Sequence, residues 1–540
     1  MQHDLPLRFS SLRPVRVPTL AVALAVTAGA CVSPALAIDR NPEGWSVLEP
    51  SVDTRIIFVS SSEGNDHNSG LTPSKPVRTL ARAEELVRDG YPDWVLMKRG
   101  DTWNEGFNGW SLSGRSDNER VLISAYGEGD ARPRVVLQDS SFLVGPMNRE
   151  VSHVAIVGIA VLGDREPGNS SIGFRWLSNG SDLLLEDCLI SGFKDNIVIQ
   201  AVGEQYHNIE LRRNVIVDSW SDNGHSQGIF VKNCNGVLLE ENVFDHNGWN
   251  ENVPGAEPTT FDQNVYLQTD TFGVVFKGNL TSRAAAAGVQ MRTGGHAINN
   301  LMYSNGLGLR FGYTALEWPA QSAQGSIIGN VVLGGQLANN TADGAGIGIW
   351  VERADNTVVK QNVVADYGTG GVPTAFSING YAGDVVFEQN IAFNYVDSEN
   401  RGHAIKSGAE VQGSVKFLNN QWHMPGTSRV INLRYSDRFQ FVGNDMSGFS
   451  GDTEAFFIDG GSIDFQDWIG QGFVTGDSIN SSGESTILGR NLDDYAQHLG
   501  LDDAEAFIEK ARNMSRANWD ARYTGGEAAR WIRAGYGLGN

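Results

Sequence analysis

The chain is poor in cysteine, with three in 540 residues. That excludes a disulfide-stapled scaffold and a cysteine-rich metal centre. Positive charge is also scarce: 41 Lys and Arg stand against 63 Asp and Glu, a formal net charge of -22. A nucleic-acid partner needs a basic footprint and is excluded on that balance. With 41% hydrophobic and 19% charged residues, the chain is too apolar to be disordered. No apolar run is long enough to span a bilayer. The nearest is Leu20 to Val32, preceded by Arg8, Arg13 and Arg16 and followed by Ala35-Leu36-Ala37. A basic region, a short apolar core and an A-x-A site make residues 1–37 an export signal cleaved after Ala37, so a secreted or periplasmic protein is expected. A lipoprotein site at Cys31 is the alternative, against which stands Ala28 where a Leu is expected. Cys188 and Cys234 then remain, read as small buried residues.

What the sequence has in quantity is repetition. Residues 209–312 hold three successive units of one kind. They read IELRRNVIVDSW with SQGIFVKN, VLLEENVFDHNGW with DQNVYLQT, and VVFKGNLTSR with AAGVQMRT. Each has an apolar run, an Asn, a second apolar run and a strictly alternating strand. The Asn recurs as Asn214, Asn242, Asn279, Asn300, Asn330, Asn362, Asn390, Asn420 and Asn444, at gaps of 28, 37, 21, 30, 32, 28, 30 and 24, with Cys188 in the same place one unit earlier. Such a period marks a solenoid. A solenoid grows by stacking without enlarging its core, so the length does not require several domains. Asn accepts left-handed backbone angles, which suits a corner in every coil, and stacked amides bond along an axis.

At the start, residues 38–55 read as a linker. Ile56 to Val59 reads as a strand and Gly64 to Gly70 as turn chemistry. Leu80, Ala83, Leu86 and Val87 have helical spacing, with Gly90 as the stop. Asp66 and Asn68 lack the bidentate Glu that closes a calcium loop, so the segment reads as a turn. This stretch, FVSSSEGNDHNSGLTPSKPVRTLARA, resembles the opening of secreted right-handed parallel β-helix proteins of the pectate-lyase-like superfamily. With the repeats, the resemblance covers residues 55 to 470. It implies an all-β, right-handed, single-stranded parallel β-helix, a carbohydrate-active role and, often, polysaccharide lyase activity. The expected organisation is an N-terminal cap region over 38–110, the β-helix over 111–470, and a linker with a helical cap or strap over 471–540. The pattern is expected to break past Trp468.

Alternation places inward pairs at Ile197/Ile199, Ile229/Val231, Val265/Leu267, Val289/Met291, Leu309/Phe311, Ile347/Ile349 and Phe376/Ile378. The first outward column is then Val198, Phe230, Tyr266, Gln290, Arg310, Gly348, Ser377 and Lys406. The second is Gln200, Lys232, Gln268, Arg292, Gly312, Trp350, Asn379 and Gly408. Neither contains a carboxylate. A further polar set, Asp218, His246 and Arg283, stands four residues after the ladder Asn and is expected beside the same groove. The insertion HNGWNENVPGAEPTTFD is expected to overhang it with Trp249, while Tyr313, Trp318 and Trp350 serve further along.

Cationic groups at outward positions of an acidic protein suit a uronate polysaccharide. β-Elimination needs the C6 carboxylate neutralised, a base for the C5 proton and an acid for the departing O4. Arg292 holds a carboxylate through its planar fork. Lys232 is the candidate base, with Tyr266 or His225 moving the second proton. Gln268, Gln290, Arg310, His246, Trp249 and Arg283 are the candidate substrate-binding residues. No cofactor is required by this reading. Some members of the resembled superfamily neutralise the carboxylate with Ca2+, and arginine takes that part here. The expected partner is an acidic polysaccharide, and the expected state a monomer. Three alternatives stay open. A glycoside hydrolase would use carboxylate pairs among Asp218, Asp222, Asp245 and Asp262. A C5-epimerase would share the Tyr, His and Arg chemistry. A non-catalytic β-helix would bind carbohydrate without product.

Overall fold

The computed structural model describes residues 38–107, 109–313, 321–335, 346–367, 372–380, 383–408, 411–427, 429–449, 455–480 and 489–539. Residues 1–37, expected to be an export signal with Cys31 among them, and Trp318 lie outside the described residues. The chain winds into a parallel β-helix, each coil laying one strand on each of three sheets of 15, 14 and 13 strands. One coil runs through Cys234–Glu240 in the first sheet, Val243–Asp245 in the second and Gln263–Leu267 in the third. The first sheet already begins with Ile56–Val59, Trp94–Lys98 and Val121–Tyr126, so coiling starts well before residue 111.

The alternating strands turn one side inward. Ile229 pairs with Val265 and Val265 with Val289, and each is fully buried, contributing about 1.5–3 kcal/mol of apolar burial. The strand Ile347–Glu352 departs from the expected register. Leu309 pairs with Ile349, Arg310 with Trp350 and Gly312 with Glu352. The inward pair is therefore Ile349/Val351, Trp350 belongs to the first outward column, and Glu352 puts a carboxylate in the second. Gly312, at φ 95°, allows the close approach of the Glu352 carbonyl that a Cβ would block.

All nine expected Asn side chains stack on one corner. The Asn242 amide N–H donates to Asn279 Oδ1 at 2.9 Å, and Asn242 Nδ2 donates to Asn279 Oδ1 at 3.0 Å and to the Leu211 carbonyl at 2.8 Å. The same pattern continues through Asn300, Asn330, Asn362, Asn390, Asn420 and Asn444 to Asp477. Cys188 opens the stack by donating its N–H to Asn214 Oδ1. The ladder Asn does not itself take the left-handed angle. The residue before it does: Arg213, Glu241, Gly278, Asn299 and Gly329 all have φ between 51° and 67°. The Asn is selected for its amide, which satisfies buried backbone groups at the corner. Both Cys188 and Cys234 are buried and unbridged.

At the N-terminal end, helix Leu80–Leu86 is capped by Thr79. Asp66 accepts from the Arg78 and Thr79 N–H groups and from Thr79 Oγ1, so its carboxylate serves the turn. Past Trp468 the coil continues briefly, since Val474–Thr475 and Ser478–Asn480 extend the first and second sheets. Three helices follow, Leu492–His498, Ala504–Arg512 and Gly525–Gly535. Their apolar faces, with Phe507, Ile508, Ala528 and Ile532, pack on Val215, Val243, Leu280, Leu301 and Val331 of the second sheet. The tail is a strap over that sheet, which leaves the third sheet open to carry the groove.

Candidate active site

The outer face of the third sheet forms a cavity of 930 Å³. Its floor is the first outward column, in register from Arg175 through Val198, Phe230, Tyr266, Gln290 and Arg310 to Trp350. Gln200, Gln268, Arg292 and Glu352 form one side; Lys194, Asp195, His225, Phe261 and Gln263 form the other. Arg175, Lys194, Arg292 and Arg310 thus face two carboxylates, Asp195 and Glu352, a local positive excess in a chain of net charge -22.

Tyr266, Gln268 and Arg292 act as one unit. Gln268 Nε2 donates to the Tyr266 hydroxyl at 2.7 Å, and Arg292 Nη1 donates to Gln268 Oε1 at 2.6 Å. The second bond fixes the amide orientation, so the phenol oxygen accepts from Gln268 and its hydrogen is directed elsewhere. The Arg292 guanidinium lies 3.8 Å from the Tyr313 ring centre and 4.8 Å from that of Tyr266. Burial raises the Tyr266 phenol above its ordinary value, opposed by Arg292 and Gln268. Burial likewise lowers Arg292, opposed by the two tyrosines. One coil further, Arg310 lies 4.5 Å over the Trp350 ring and pairs with Glu352. Around this unit four buried polar atoms have no hydrogen-bond partner among the described residues: Gln263 Oε1, Gln290 Nε2, Arg292 Nε and Trp350 Nε1.

The expected residues divide between two places. Tyr266, Gln268, Gln290, Arg292, Arg310 and His225 line the cavity. Lys232 ends its strand in register with Gln200, beside the lining residues and not among them. His246, Trp249 and Arg283 lie at the strap. His246 and Arg283 are themselves left-handed corner residues, as is Asp218, and this second corner sends their side chains toward the tail. His246 Nδ1 is 3.0 Å from Asp218, Arg283 pairs with Asp245 and with Glu505, and Arg512 bridges Asp218 and Asp245. Trp249 Nε1 donates to the Arg283 carbonyl. At Asp218 the upward push of burial is overcome by the His246 hydrogen bond and Arg512, which hold the carboxyl low. The Asp218 and Asp245 pair weighed for hydrolysis is thus engaged by the strap. The insertion does reach the cavity, through Thr260 and Phe261; Phe261 is 62% exposed and its ring centre is 4.9 Å from that of His225.

Two acids were not legible as a pair. Asp195 Oδ1 accepts from the Gln227 N–H at 2.8 Å, and Asp262 Oδ1 accepts from the adjacent Ser226 N–H at 2.9 Å. The two carboxyls thus flank one short stretch of backbone from the coils on either side. Burial pushes Asp195 up to about 6 and Asp262 up to about 7, the latter helped by Asp195. Asp262 had been named from sequence; Asp195, an acid opening a strand, gave no signal. A calcium site does not fit the cavity, because Asp195 and Glu352 stand five coils apart and Glu352 is bonded to Arg310.

No family model matches the chain. Among curated proteins, 121 residues are 26% identical to the lacto-N-biosidase of Bifidobacterium longum subsp. longum, a stretch that is 21% of this chain and 8% of that protein. Among solved structures, a rhamnogalacturonan lyase is similar over 68% of this chain and 87% of its own, with 15% identity and a TM-score of 0.38. The A-module of a mannuronan C-5 epimerase from Azotobacter vinelandii is similar over 66% of this chain and 90% of its own, with 13% identity and a TM-score of 0.44. No helix among the described residues is long and apolar enough to cross a membrane.

Proposed function

We propose that this is an exported carbohydrate-active enzyme that cleaves a uronate-containing polysaccharide by β-elimination at the Tyr266–Gln268–Arg292 unit. The observation that carries the reading is the phenol held by Gln268 beside a guanidinium stacked on tyrosine. Arg292, with Arg310 next to it, takes the C6 carboxylate and so acidifies the C5 proton. Lys232, one strand before Gln268 and at the same end of the sheet, is the candidate base. As C5 loses its proton, the electron pair forms the C4=C5 double bond and the C4–O4 bond breaks. Tyr266, kept protonated by burial, gives its proton to the departing O4. Aromatic rings at Phe230, Tyr313 and Trp350 offer faces for sugars.

The test is incubation with a panel of acidic and neutral polysaccharides, followed by ultraviolet absorbance from unsaturated uronates. Wild type gives absorbance on an acidic polymer and Tyr266→Phe, which keeps the ring but loses the proton, gives little. Absence of unsaturated product across the panel overturns the reading. A second reading has its own observation in the Asp195 and Asp262 carboxyls, raised by burial to about 6 and about 7 across one backbone stretch, the upward shift that an acid catalyst of hydrolysis requires. It expects new reducing ends without absorbance, lost in Asp195→Asn.

A further inference from the structure

The floor column does not end with the cavity. Beyond Trp350 it continues in register through Ser377, Lys406 and Asn432 to Phe457. Lys406 stands three coils past Arg310, ~14 Å at the spacing of stacked strands. Beside it, Arg429 lays its guanidinium 4.4 Å from the centre of the Phe457 ring, and Arg434 follows the strand Ile431–Leu433. Lys406 and Arg434 are exposed and Arg429 is half-buried. None of the three forms an ion pair among the described residues, where Asp397 and Glu399 pair with Arg401, and Asp437 with Arg438. His403, on the Lys406 strand, is pushed down to about 4 by burial and then by Lys406 and Arg429, which places these charges around one spot. Three cations without counter-charges among the described residues, one over an aromatic face, are costly to gather unless something anionic meets them.

We propose that Lys406, Arg429 and Arg434 form a second polyanion-binding platform, on which an acidic polysaccharide rests after leaving the cavity at its Trp350 end. The platform rests on the reading of the cavity as a uronate site only in sharing its ligand. A chain lying along the third sheet meets Arg310 and then Lys406, a span of several sugar units. Short oligosaccharides fill the cavity without reaching the platform; long polymers engage both and gain from the second contact as a linked site does. The ligand class is an extended polyanion with carboxylates or sulfates, and neutral glycans are not retained there.

The test compares wild type with the triple variant Lys406→Ala, Arg429→Ala and Arg434→Ala, each checked for unchanged melting. Binding is measured by affinity electrophoresis through gels containing polygalacturonate, alginate or a neutral glucan, and by calorimetry with a uronate trisaccharide. The triple variant is expected to bind one of the acidic polymers about tenfold more weakly, with a shallower salt dependence, and to bind the trisaccharide as wild type does. The single variant Arg429→Lys, which keeps charge and loses the planar stack, is expected to fall between. Polymer binding equal to wild type in the triple variant overturns the platform, as does equal weakening for polymer and trisaccharide, or a wild type that is retained by no polyanion. Turnover is read separately. Platform-dependent binding without unsaturated product refutes the lyase and leaves the platform, and cleavage of short uronates with unaltered polymer binding does the reverse.

Discussion

Asp262 makes the stability of the coil depend on pH in a direction opposite to that of most surface carboxylates. Its side chain is almost fully buried and accepts from Ser226 N–H and Thr259 Oγ1. Two hydrogen bonds favour the ionised form, yet burial and the neighbouring Asp195 outweigh them and raise the carboxyl from 3.8 to about 7. In the unfolded chain it titrates near its ordinary value of about 3.9. Below that value both states are protonated and nothing is lost. Between there and about 7 the unfolded chain releases the proton and the folded one keeps it, so stability falls as pH rises; above about 7 the loss is complete. A rise of about 3 units corresponds to something on the order of 4 kcal/mol. Asp262→Asn removes the titration while its oxygen still accepts from Ser226, and Thr259 turns its hydroxyl to accept from the new amide. Melting of wild type and Asp262→Asn is measured from pH 5 to 8.5. Wild type is expected to lose stability across that range and the variant much less, so that the variant is the more stable at pH 8. Parallel curves for the two proteins would refute the assignment of this group.

Arg292→Lys keeps the charge but loses the planar fork, with its Nη1 bond to Gln268 and the flat contact with Tyr313; kcat/KM is expected to fall at least about tenfold with unchanged melting, checked by steady-state kinetics on the acidic polymer that wild type cleaves. Val265→Asp places a charge on the inner face and is expected to destabilise by several kcal/mol, whereas Gln268→Ala costs far less; equal losses of melting temperature would contradict the alternation. Arg512→Ala strips the shared partner from Asp218 and the fully buried Asp245, which keep His246 and Arg283, and is expected to loosen the strap at a cost of about 1.5–3 kcal/mol. Limited proteolysis checks this: cleavage within 489–539 should accelerate while the coil stays resistant.

The coil was legible because its two signals are both periodic. An apolar alternation and a recurring Asn fix the strands and one corner without any knowledge of the loops between them. The cavity floor followed from Phe230 to Arg310, where consecutive strands offer one apolar pair each. It failed at Ile347–Glu352 because Ile347/Ile349 and Ile349/Val351 are equally apolar, so alternation accepts either register. The step of two residues exchanged Gly348 for Trp350 and brought in Glu352. The set Asp218, His246 and Arg283 misled for a different reason. Recurrence shows that positions stack, and it does not show which face they stack on; the left-handed angle at those residues turns them toward the strap. The pairing of Asp195 with Asp262 lay beyond pattern altogether, because it arises where two turns from different coils meet one stretch of backbone.

A solvated strand also carries glutamine, arginine and tyrosine, so their presence alone decides little. Their satisfaction decides more. On a solvated face each such group turns to water, and its burial is low. Here Gln290 is 2% and Gln263 6% exposed, and each keeps one amide atom without a partner among the described residues, as do Arg292 at Nε and Trp350 at Nε1. A buried polar atom left in that condition costs about 1–3 kcal/mol, and a sequence selected for stability alone would replace several with apolar side chains at similar volume. Instead these four unpartnered atoms lie around one cavity, beside a phenol whose oxygen accepts from Gln268 and whose proton has no acceptor among the described residues. Donors and acceptors kept at this cost, converging on a space lined with aromatic faces and guanidinium groups, are what recognition of a polar and anionic ligand requires.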